Sequence, residues 1–196
     1  MRRMGIVVTV LVALLAAPGI VSATPMDLIQ NGGFETGDFS NWTVSGNMGF
    51  VKVLPGFGHA GSNYAAGNGA VGSLGYISQL INTVPGAVYD VSFWLSNVAN
   101  ESNLVLPNYF ELLAGNQSVF SLANFALPFP YTNFTGTFTA TGAQTNVQFA
   151  FMHTPWMWLL DDVSATQRNG VPEPLSLGLV GSGLLALGLL RRRRHS

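Results

Sequence analysis

Short apolar and alternating segments, separated by turn signals, constrain the fold of this chain more than any other feature. Between residues 24 and 170 the sequence is rich in Gly, Asn, Ser, Thr and Phe and poor in helix-forming runs. Pairs such as Pro85-Gly86 and Thr141-Gly142 mark turns between the segments. This pattern predicts an all-β sandwich or barrel. We predict strands over 50–54, 76–82, 88–96, 109–114, 117–122, 133–140, 146–153 and 158–165.

Alternation within the predicted strands assigns side chains to faces, because successive strand residues point to opposite sides of a sheet. Asp90, Ser92 and Trp94 share the outward face of their strand. Such faces suit two antiparallel sheets packed against each other. The residues that we assign to the core are Tyr89, Val91, Phe93, Leu95, Phe134, Phe138, Val147, Phe149 and Phe151.

The N-terminus has the layout of a secretory signal peptide. Arg2 and Arg3 precede an apolar run over 6–17, and small residues follow up to Ala23. We predict a signal peptide over 1–23 that signal peptidase cleaves after Ala23. An uncleaved anchor helix is the alternative, but Pro18 and the small residues argue against it.

The C-terminus predicts a single transmembrane helix. Residues 175–190 are apolar and carry no charge, and four arginines follow at 191–194. The run is slightly shorter than the ~20 residues that a bilayer core requires, but thinning of the bilayer can accommodate it. The arginines favour the cytoplasmic side of the membrane, which places the preceding domain outside it. A buried core helix is the alternative, and it leaves the arginines unexplained.

Residues 171–196 resemble the PEP-CTERM sorting signal. The resemblance rests on Val171, on Pro172-Glu173-Pro174, and on the order of apolar segment and terminal arginines. It implies export, transient anchoring in the cytoplasmic membrane through 175–190, and processing near Pro172-Glu173-Pro174 by an exosortase-type transpeptidase. The resemblance also implies that the mature protein lies at the cell surface or in the extracellular matrix of a biofilm, associated with exopolysaccharide.

The two basic ends conceal an acidic domain. Residues 24–170 contain eight acidic residues but only Lys52 and Arg168 as bases, a net charge of −6. This balance argues against nucleic acid as a partner, since nucleic-acid binding requires a basic surface. The chain contains no cysteine. Cysteine-based catalysis and zinc–thiolate sites are therefore excluded.

From residue 28 to residue 165 the chain resembles the galactose-binding-like jelly rolls of carbohydrate-binding modules. The resemblance rests on four stretches, at 28–37, 77–80, 85–94 and 160–164. It implies a two-sheet antiparallel jelly-roll sandwich over 24–170. The four stretches are more specific for the fold than for a ligand, because a fold does not determine a function.

The same resemblance implies a structural calcium ion where the first and last strands meet. The expected ligands are Glu35 and one of Asp161 or Asp162, with Asp38 as a weaker candidate. Calcium takes six to eight oxygen ligands, and glycine-rich turns near Glu35 can supply carbonyls. The alternative is that Glu35 caps a turn while the aspartates are solvated. Both aspartates can bind through their side chains only if a bulge interrupts the strand.

Exposed aromatic rings can form a platform on which the apolar face of a sugar stacks. Trp94 faces outward beside Asp90, and the other candidates are in or beside loops. Each ring has a structural alternative, and Trp94 in particular can be covered by a loop. Trp42 and Trp158 are assigned to packing. The other candidate ligand-binding residues are Tyr64, Tyr76, Tyr109 and Trp156.

No catalytic motif stands out in the sequence. His59 and His153 have no spacing that links them to a nucleophile or a zinc motif. The leading hypothesis is therefore a non-catalytic exported protein that binds glycans or has a structural role with exopolysaccharide. A glycan-active enzyme and a structural matrix subunit without sugar binding are the alternatives.

Overall fold

The computed structural model describes residues 25–98, 107–125, 127–153 and 156–168. The predicted signal peptide with Ala23, the sorting residues Val171, Pro172, Glu173 and Pro174, and the apolar segment 175–190 lie outside these residues. Within the described ranges, no helix has the length and apolar character that crossing a bilayer requires.

The described residues form ten β-strands and no helix. Their bounds are β1 Thr43–Gly46, β2 Val51–Pro55, β3 Tyr64–Asn68, β4 Gly75–Asn82, β5 Val88–Val98, β6 Tyr109–Ala114, β7 Gln117–Ala123, β8 Phe129–Thr139, β9 Gln144–Met152 and β10 Met157–Gln167.

The strands pair into two antiparallel sheets. Sheet one has the order β1-β4-β9-β6-β7, and sheet two has the order β2-β3-β10-β5-β8. Neighbours in each sheet are mostly distant in sequence, as in the pairing of β4 with β9. The sheets face each other across the core, and the predicted all-β fold of two antiparallel sheets is confirmed.

Each of the eight predicted strands is present, with ends that shift by a few residues. Two strands were missed. β3 reads Tyr-Ala-Ala-Gly-Asn and lacks the β-branched residues that mark strands. It exists because it pairs on both sides, with β2 and with β10. β1 is a four-residue edge strand held by β4 alone.

The predicted core faces are confirmed, and aromatic rings fill the space between the sheets. Phe93 from sheet two lies 5.3 Å from Phe149 and 5.7 Å from Phe110 in sheet one, between ring centroids. Tyr89, Val91, Phe93 and Leu95 are at most 1% exposed. Phe134 is half-buried at the edge of this cluster. Trp42 and Trp158 are buried, as expected.

The start of the domain is tied to its last strand. Leu28 N donates to Ala165 O at 2.8 Å, and Asp27 Oδ1 accepts from Ala165 N at 2.9 Å. The side chain of Gln79 on β4 bonds both backbone groups of Gln30, at 2.8 and 2.9 Å. The first loop therefore bridges the two sheets and runs beside β10.

His153 is a buried histidine that the mature fold keeps neutral. Its ring is 2% exposed and packs edge-on against Trp158. Asn97 Nδ2 donates to Leu127 O, so Asn97 Oδ1 accepts from His153 Nε2 at 2.8 Å. Burial lowers the pKa of His153 to about 4.

This lowered pKa predicts acid sensitivity. Between about pH 6.5 and pH 4 the unfolded chain binds a proton that the folded chain excludes, so stability falls as the pH falls. From pH 7 to pH 5 we expect this histidine to cost about 2 kcal/mol of unfolding free energy. Urea unfolding of the wild type and of His153→Gln at both pH values measures the loss, and the difference between the proteins cancels the contribution of the carboxylates. An equal pH dependence of the two proteins would contradict the prediction.

Candidate functional site

The first loop is fixed by its own polar side chains and by one aromatic ring. Asn31, at φ 53°, donates from Nδ2 to the carbonyls of Asp38 at 3.2 Å and Ser40 at 3.0 Å. Phe34 is fully buried and stacks on Trp42 at 5.6 Å. The loop between these contacts therefore holds Glu35 in a defined place beside β3.

Glu35 caps the start of β3. Its Oε1 accepts from Ser62 Oγ at 2.6 Å, from Asn63 N at 2.8 Å and from Tyr64 N at 3.0 Å. The hydrogen bond from Ser62 is the largest factor that lowers the pKa of Glu35, followed among the lowering causes by the two backbone amides. This carboxylate satisfies amides that the ladder of β3 leaves unpaired.

A β-bulge in β10 turns two adjacent carboxylates to one side. The register of β10 against β5 shifts between Asp161 and Ser164, and Asp162 has φ 46°. A Cβ atom placed on Gly33 would lie 3.4 Å from Asp162 Oδ1 and 3.7 Å from Asp161 Oδ1. Both aspartates thus converge on Gly33, which adjacent residues of a regular strand do not do.

Asp161 is a buried carboxylate held by backbone amides. It is fully buried, and its Oδ2 accepts from His59 N at 2.7 Å while its Oδ1 accepts from Asp162 N at 2.8 Å. Burial is the main cause that raises the pKa of Asp161 to about 6. Asp162 Oδ2 lies 2.8 Å from His59 Nδ1. The ionised form of Asp161 is therefore costly in the folded chain unless a cation is near.

The structure brings two of the four predicted metal ligands, Asp161 and Asp162, together beside Gly33, whereas the carboxylate of Glu35 bonds to the start of β3. A Cβ atom placed on Gly33 would also lie 3.8 Å from the Cγ atom of Glu35. Asp38 instead accepts from Thr36 Oγ1 at 2.8 Å and Ser40 N at 2.9 Å within its own turn. In the described ranges, no three His, Asp or Glu side chains are arranged to hold a metal ion together. The oxygen donors beside Gly33 nevertheless match the preference of calcium.

The capping geometry of Glu35 makes a prediction that does not depend on any ion. Glu35→Ala removes the acceptor of Ser62, Asn63 and Tyr64, so we expect a lower melting temperature even in excess chelator. Glu35→Gln keeps an acceptor oxygen, so its melting temperature should fall much less. Thermal unfolding in chelator measures both variants. Equal melting temperatures for Glu35→Ala and the wild type would refute the capping role.

The glycine-rich loop between β2 and β3 covers the outer face of sheet two. His59 stacks on Trp94 with 3.8 Å between ring centroids. Tyr131 OH donates to Phe57 O at 2.6 Å and holds the same loop. One face of Trp94 is therefore occupied by His59, as in the alternative that a loop covers this ring.

Three other candidate sugar ligands lie apart from one another. Asp90 pairs with Arg168, whose Nε donates to Asp90 Oδ2 at 2.9 Å. The ring of Tyr64 packs over Gly37 at the edge of the core. Trp156 is 36% exposed just before β10. Asp90 shares the outer face of β5 with Trp94, but its carboxylate is engaged by Arg168, and the rings of Tyr64 and Trp156 lie on other elements.

Tyr76 and Tyr109 do share a surface, on the outer side of sheet one. Tyr76 on β4 pairs with Ala150 on β9, and Ala150 pairs with Glu111 on β6. Tyr109 lies two residues from Glu111 on the same face. Since β9 separates β4 from β6, the two tyrosine strands are about 10 Å apart. We call the surface of Tyr76, Tyr109, Glu111, Gln148 and Ala150 the tyrosine face.

The polar groups of the tyrosine face are held in place. Tyr109 OH donates to Glu111 Oε2 at 2.7 Å, and Ser118 Oγ donates to Glu111 Oε1 at 2.6 Å. Burial, followed by the hydrogen bond to Glu111, raises the pKa of Tyr109 to about 12. A groove of ≈ 300 Å³ continues from Tyr109 past Met152. The face thus combines half-buried rings with a fixed carboxylate and a small floor residue.

Sequence reasoning missed Glu111 and Gln148. Both lie on predicted strands, and their alternation with the buried residues Leu112 and Phe149 already places them outside the core. The sequence does not reveal that β4 and β6 both pair with β9. Only this pairing brings Glu111 onto one surface with Tyr76.

A family comparison now identifies the domain. Residues 26–156 match the carbohydrate binding domain family CBM_4_9. The chain belongs to this family. The match runs from the first loop through β9 and ends just before β10. No curated protein matches the sequence significantly.

Solved structures with this fold differ in function. The CBM22-1 xylan-binding domain of Xyn10C from Paenibacillus barcinonensis superposes with a TM-score of 0.54 at 14% identity, over 77% of this chain and 100% of that one. TmCBM61 in complex with β-1,4-galactotriose has a TM-score of 0.50 at 20% identity, over 73% and 99%. A cyclase from Fischerella sp. TAU has a TM-score of 0.55 at 15% identity, over 74% and 98%. These likenesses show the jelly-roll fold alone.

Proposed function

We propose that the protein is a non-catalytic, glycan-binding surface protein and that its tyrosine face binds a polysaccharide chain. Membership of the carbohydrate binding domain family supports binding of a carbohydrate. The observation that carries the proposal is the placement of Tyr76, Ala150 and Glu111 in one cross-strand row. The two rings lie on the strands that flank β9, with Ala150 in the row of Tyr76 and Met152 in the row of Tyr109.

This arrangement suits a sugar chain for two physical reasons. The C–H face of a pyranose packs on an aromatic ring, while its hydroxyls donate to a fixed acceptor such as Glu111. Glu111 is held in place by Tyr109 and Ser118, so little conformational entropy is lost when a ligand binds. Two structures of the same fold are described as a xylan-binding domain and as a complex with β-1,4-galactotriose, which is consistent with a glycan ligand.

Substitution of the tyrosines tests the proposal. We expect Tyr76→Ala and Tyr109→Ala each to weaken glycan binding about tenfold, because each removes a stacking surface. A glycan array on the full-length chain in mild detergent identifies the ligand, and titration calorimetry then measures each variant. Phe57→Ala is the matched control, since Phe57 is 50% exposed and lies on the loop that covers sheet two.

The result also separates the three functional hypotheses. Saturable binding without release of reducing ends supports a binding module. Release of reducing ends that Glu111→Gln abolishes would indicate a glycan-active enzyme instead. Absence of binding to every glycan on the array would favour a structural matrix subunit.

We further propose a structural calcium ion beside Gly33. Asp161 and Asp162 supply carboxylate oxygens there, while the carboxylate of Glu35, two residues from Gly33, bonds to the start of β3. The burial of Asp161 supports a bound cation, since a buried carboxylate is stabilised in its charged form by a nearby positive charge. The ion would connect the first loop to β10 and would take no part in sugar binding.

Calcium removal gives a direct test. A ligand that binds only the folded chain stabilises it by mass action, so excess chelator should lower the melting temperature. Asp161→Asn and Asp162→Asn should each abolish the response to calcium. Asp38→Asn should keep it, because the carboxylate of Asp38 bonds only to its own turn. A wild-type melting temperature that is the same in calcium and in chelator excludes the site.

The location of the protein is proposed from the sequence alone. The signal peptide over 1–23 and the PEP-CTERM signal over 171–196 support export and membrane anchoring through 175–190. Processing near Pro172-Glu173-Pro174 by an exosortase-type transpeptidase would then place the domain at the cell surface. There the tyrosine face would meet extracellular polysaccharide.

A further inference from the structure

A second groove lies on the outer face of sheet two, above β3. The residues of β3 that face outward there are small, and a Cβ atom added to Gly67 would lie only 2.4 Å from Leu54 Cδ1 and 3.4 Å from Met157 Sδ. The side chains of Leu54 on β2 and Met157 on β10 therefore lie over the backbone of β3 at Gly67, where a larger residue would collide with them. The groove that results measures ≈ 230 Å³.

The banks of this groove are apolar and partly aromatic. Phe50 is 63% exposed, although it lines the groove. A Cβ atom on Gly69 would contact Phe50 Cβ at 3.6 Å and Trp156 O at 2.8 Å, which places Trp156 at the same end. Leu54 and Met157 complete the apolar lining. The volume is below the ~300–1,000 Å³ of typical ligand pockets, so it suits a single sugar ring.

Lys52 adds one positive charge to this lining. It pairs in register with Gly67, so no side chain faces it from β3. Lys52 is the only lysine of the chain. The ion pairs of the described residues join Arg168 to Asp90 and His59 to Asp162, which leaves the ammonium of Lys52 without a carboxylate partner there.

We propose that this groove binds a uronic-acid unit of an acidic polysaccharide, as a second site beyond the tyrosine face. Such a unit presents a C–H face to Phe50 and Met157 and a carboxylate to Lys52. A neutral sugar has no negative charge to pair with Lys52. A small inorganic anion has no apolar surface to pack against the banks. Charge complementarity to the one unpaired cation therefore selects an anionic sugar.

The two faces of the sandwich differ in charge in a way that supports two ligands. The tyrosine face carries Glu111 and no basic residue, since Lys52 and Arg168 both belong to sheet two or its end. Glu111 disfavours an anionic sugar on its own face. The protein can then hold a neutral chain on sheet one and an acidic chain on sheet two at the same time.

Titration of oligogalacturonate into the full-length chain in mild detergent tests this site. We expect Lys52→Gln to weaken binding about tenfold and Lys52→Arg to stay close to the wild type, because the charge is what matters. Phe50→Ala should also weaken binding. The same oligosaccharide with its carboxyl groups reduced to alcohols should not bind at this groove.

The double variant with Tyr76→Ala and Tyr109→Ala separates the two sites. If it binds oligogalacturonate like the wild type, the second site is independent of the tyrosine face. Equal affinity of Lys52→Gln and the wild type overturns the proposal, and so does a wild type that binds neutral glycans but not oligogalacturonate. Aggregation of Lys52→Gln with unchanged affinity would show that Lys52 only protects the edge strand.

Discussion

The bulge in β10 is the constraint on which the rest of the structure depends. β10 lies at the centre of sheet two, and the N-terminal segment pairs with its far end through Leu28 and Ala165. Within the bulge, Val163 N donates to Gly32 O at 3.1 Å. One irregularity in one strand thereby joins the first loop to the last strand. The carboxylates of Asp161 and Asp162 face that junction for the same reason.

The fold uses the two outer faces of the sandwich differently. On sheet two the loop with His59 lies over Trp94 and Asp161, and a groove beside Lys52 lies open to solvent. On sheet one Tyr76, Tyr109 and Glu111 are half-buried on the outer face. Two residues join β6 to β7, so this edge of sheet one ends in a tight hairpin.

The sequence predicts the fold well because the alternation of apolar and polar residues within a strand identifies both the strand and its buried face. The alternation of Tyr89, Val91, Phe93 and Leu95 identifies a core strand without knowledge of its partner. This reasoning does not identify β3, because its Ala and Gly residues become extended through pairing with β2 and β10. Tertiary pairing overrides propensity in such a strand.

The sites were harder to predict than the fold, because each depends on residues far apart in the chain. Glu35 is separated from Ser62 by 27 positions, and the sequence alone left a cap and a calcium ligand as equal alternatives. Tyr76 and Tyr109 were chosen as exposed rings near loops, but Glu111 joins them only through the register of β9. Trp94 was assigned correctly to an outward face, yet His59 covers one side of it.

The carboxylates at the first loop show how a chain without disulfides can fasten its ends. Glu35 is fully engaged by amides and a hydroxyl, so its charge is stabilised without an ion. Asp161 has amide donors too, but its burial keeps its pKa raised, and Asp162 adds a second negative charge beside it. His59 Nδ1 lies 2.8 Å from Asp162 Oδ2 and connects that carboxylate to the loop between β2 and β3. A cation bound beside Asp161 and Asp162 would stabilise the same loop that positions Phe34 in the core.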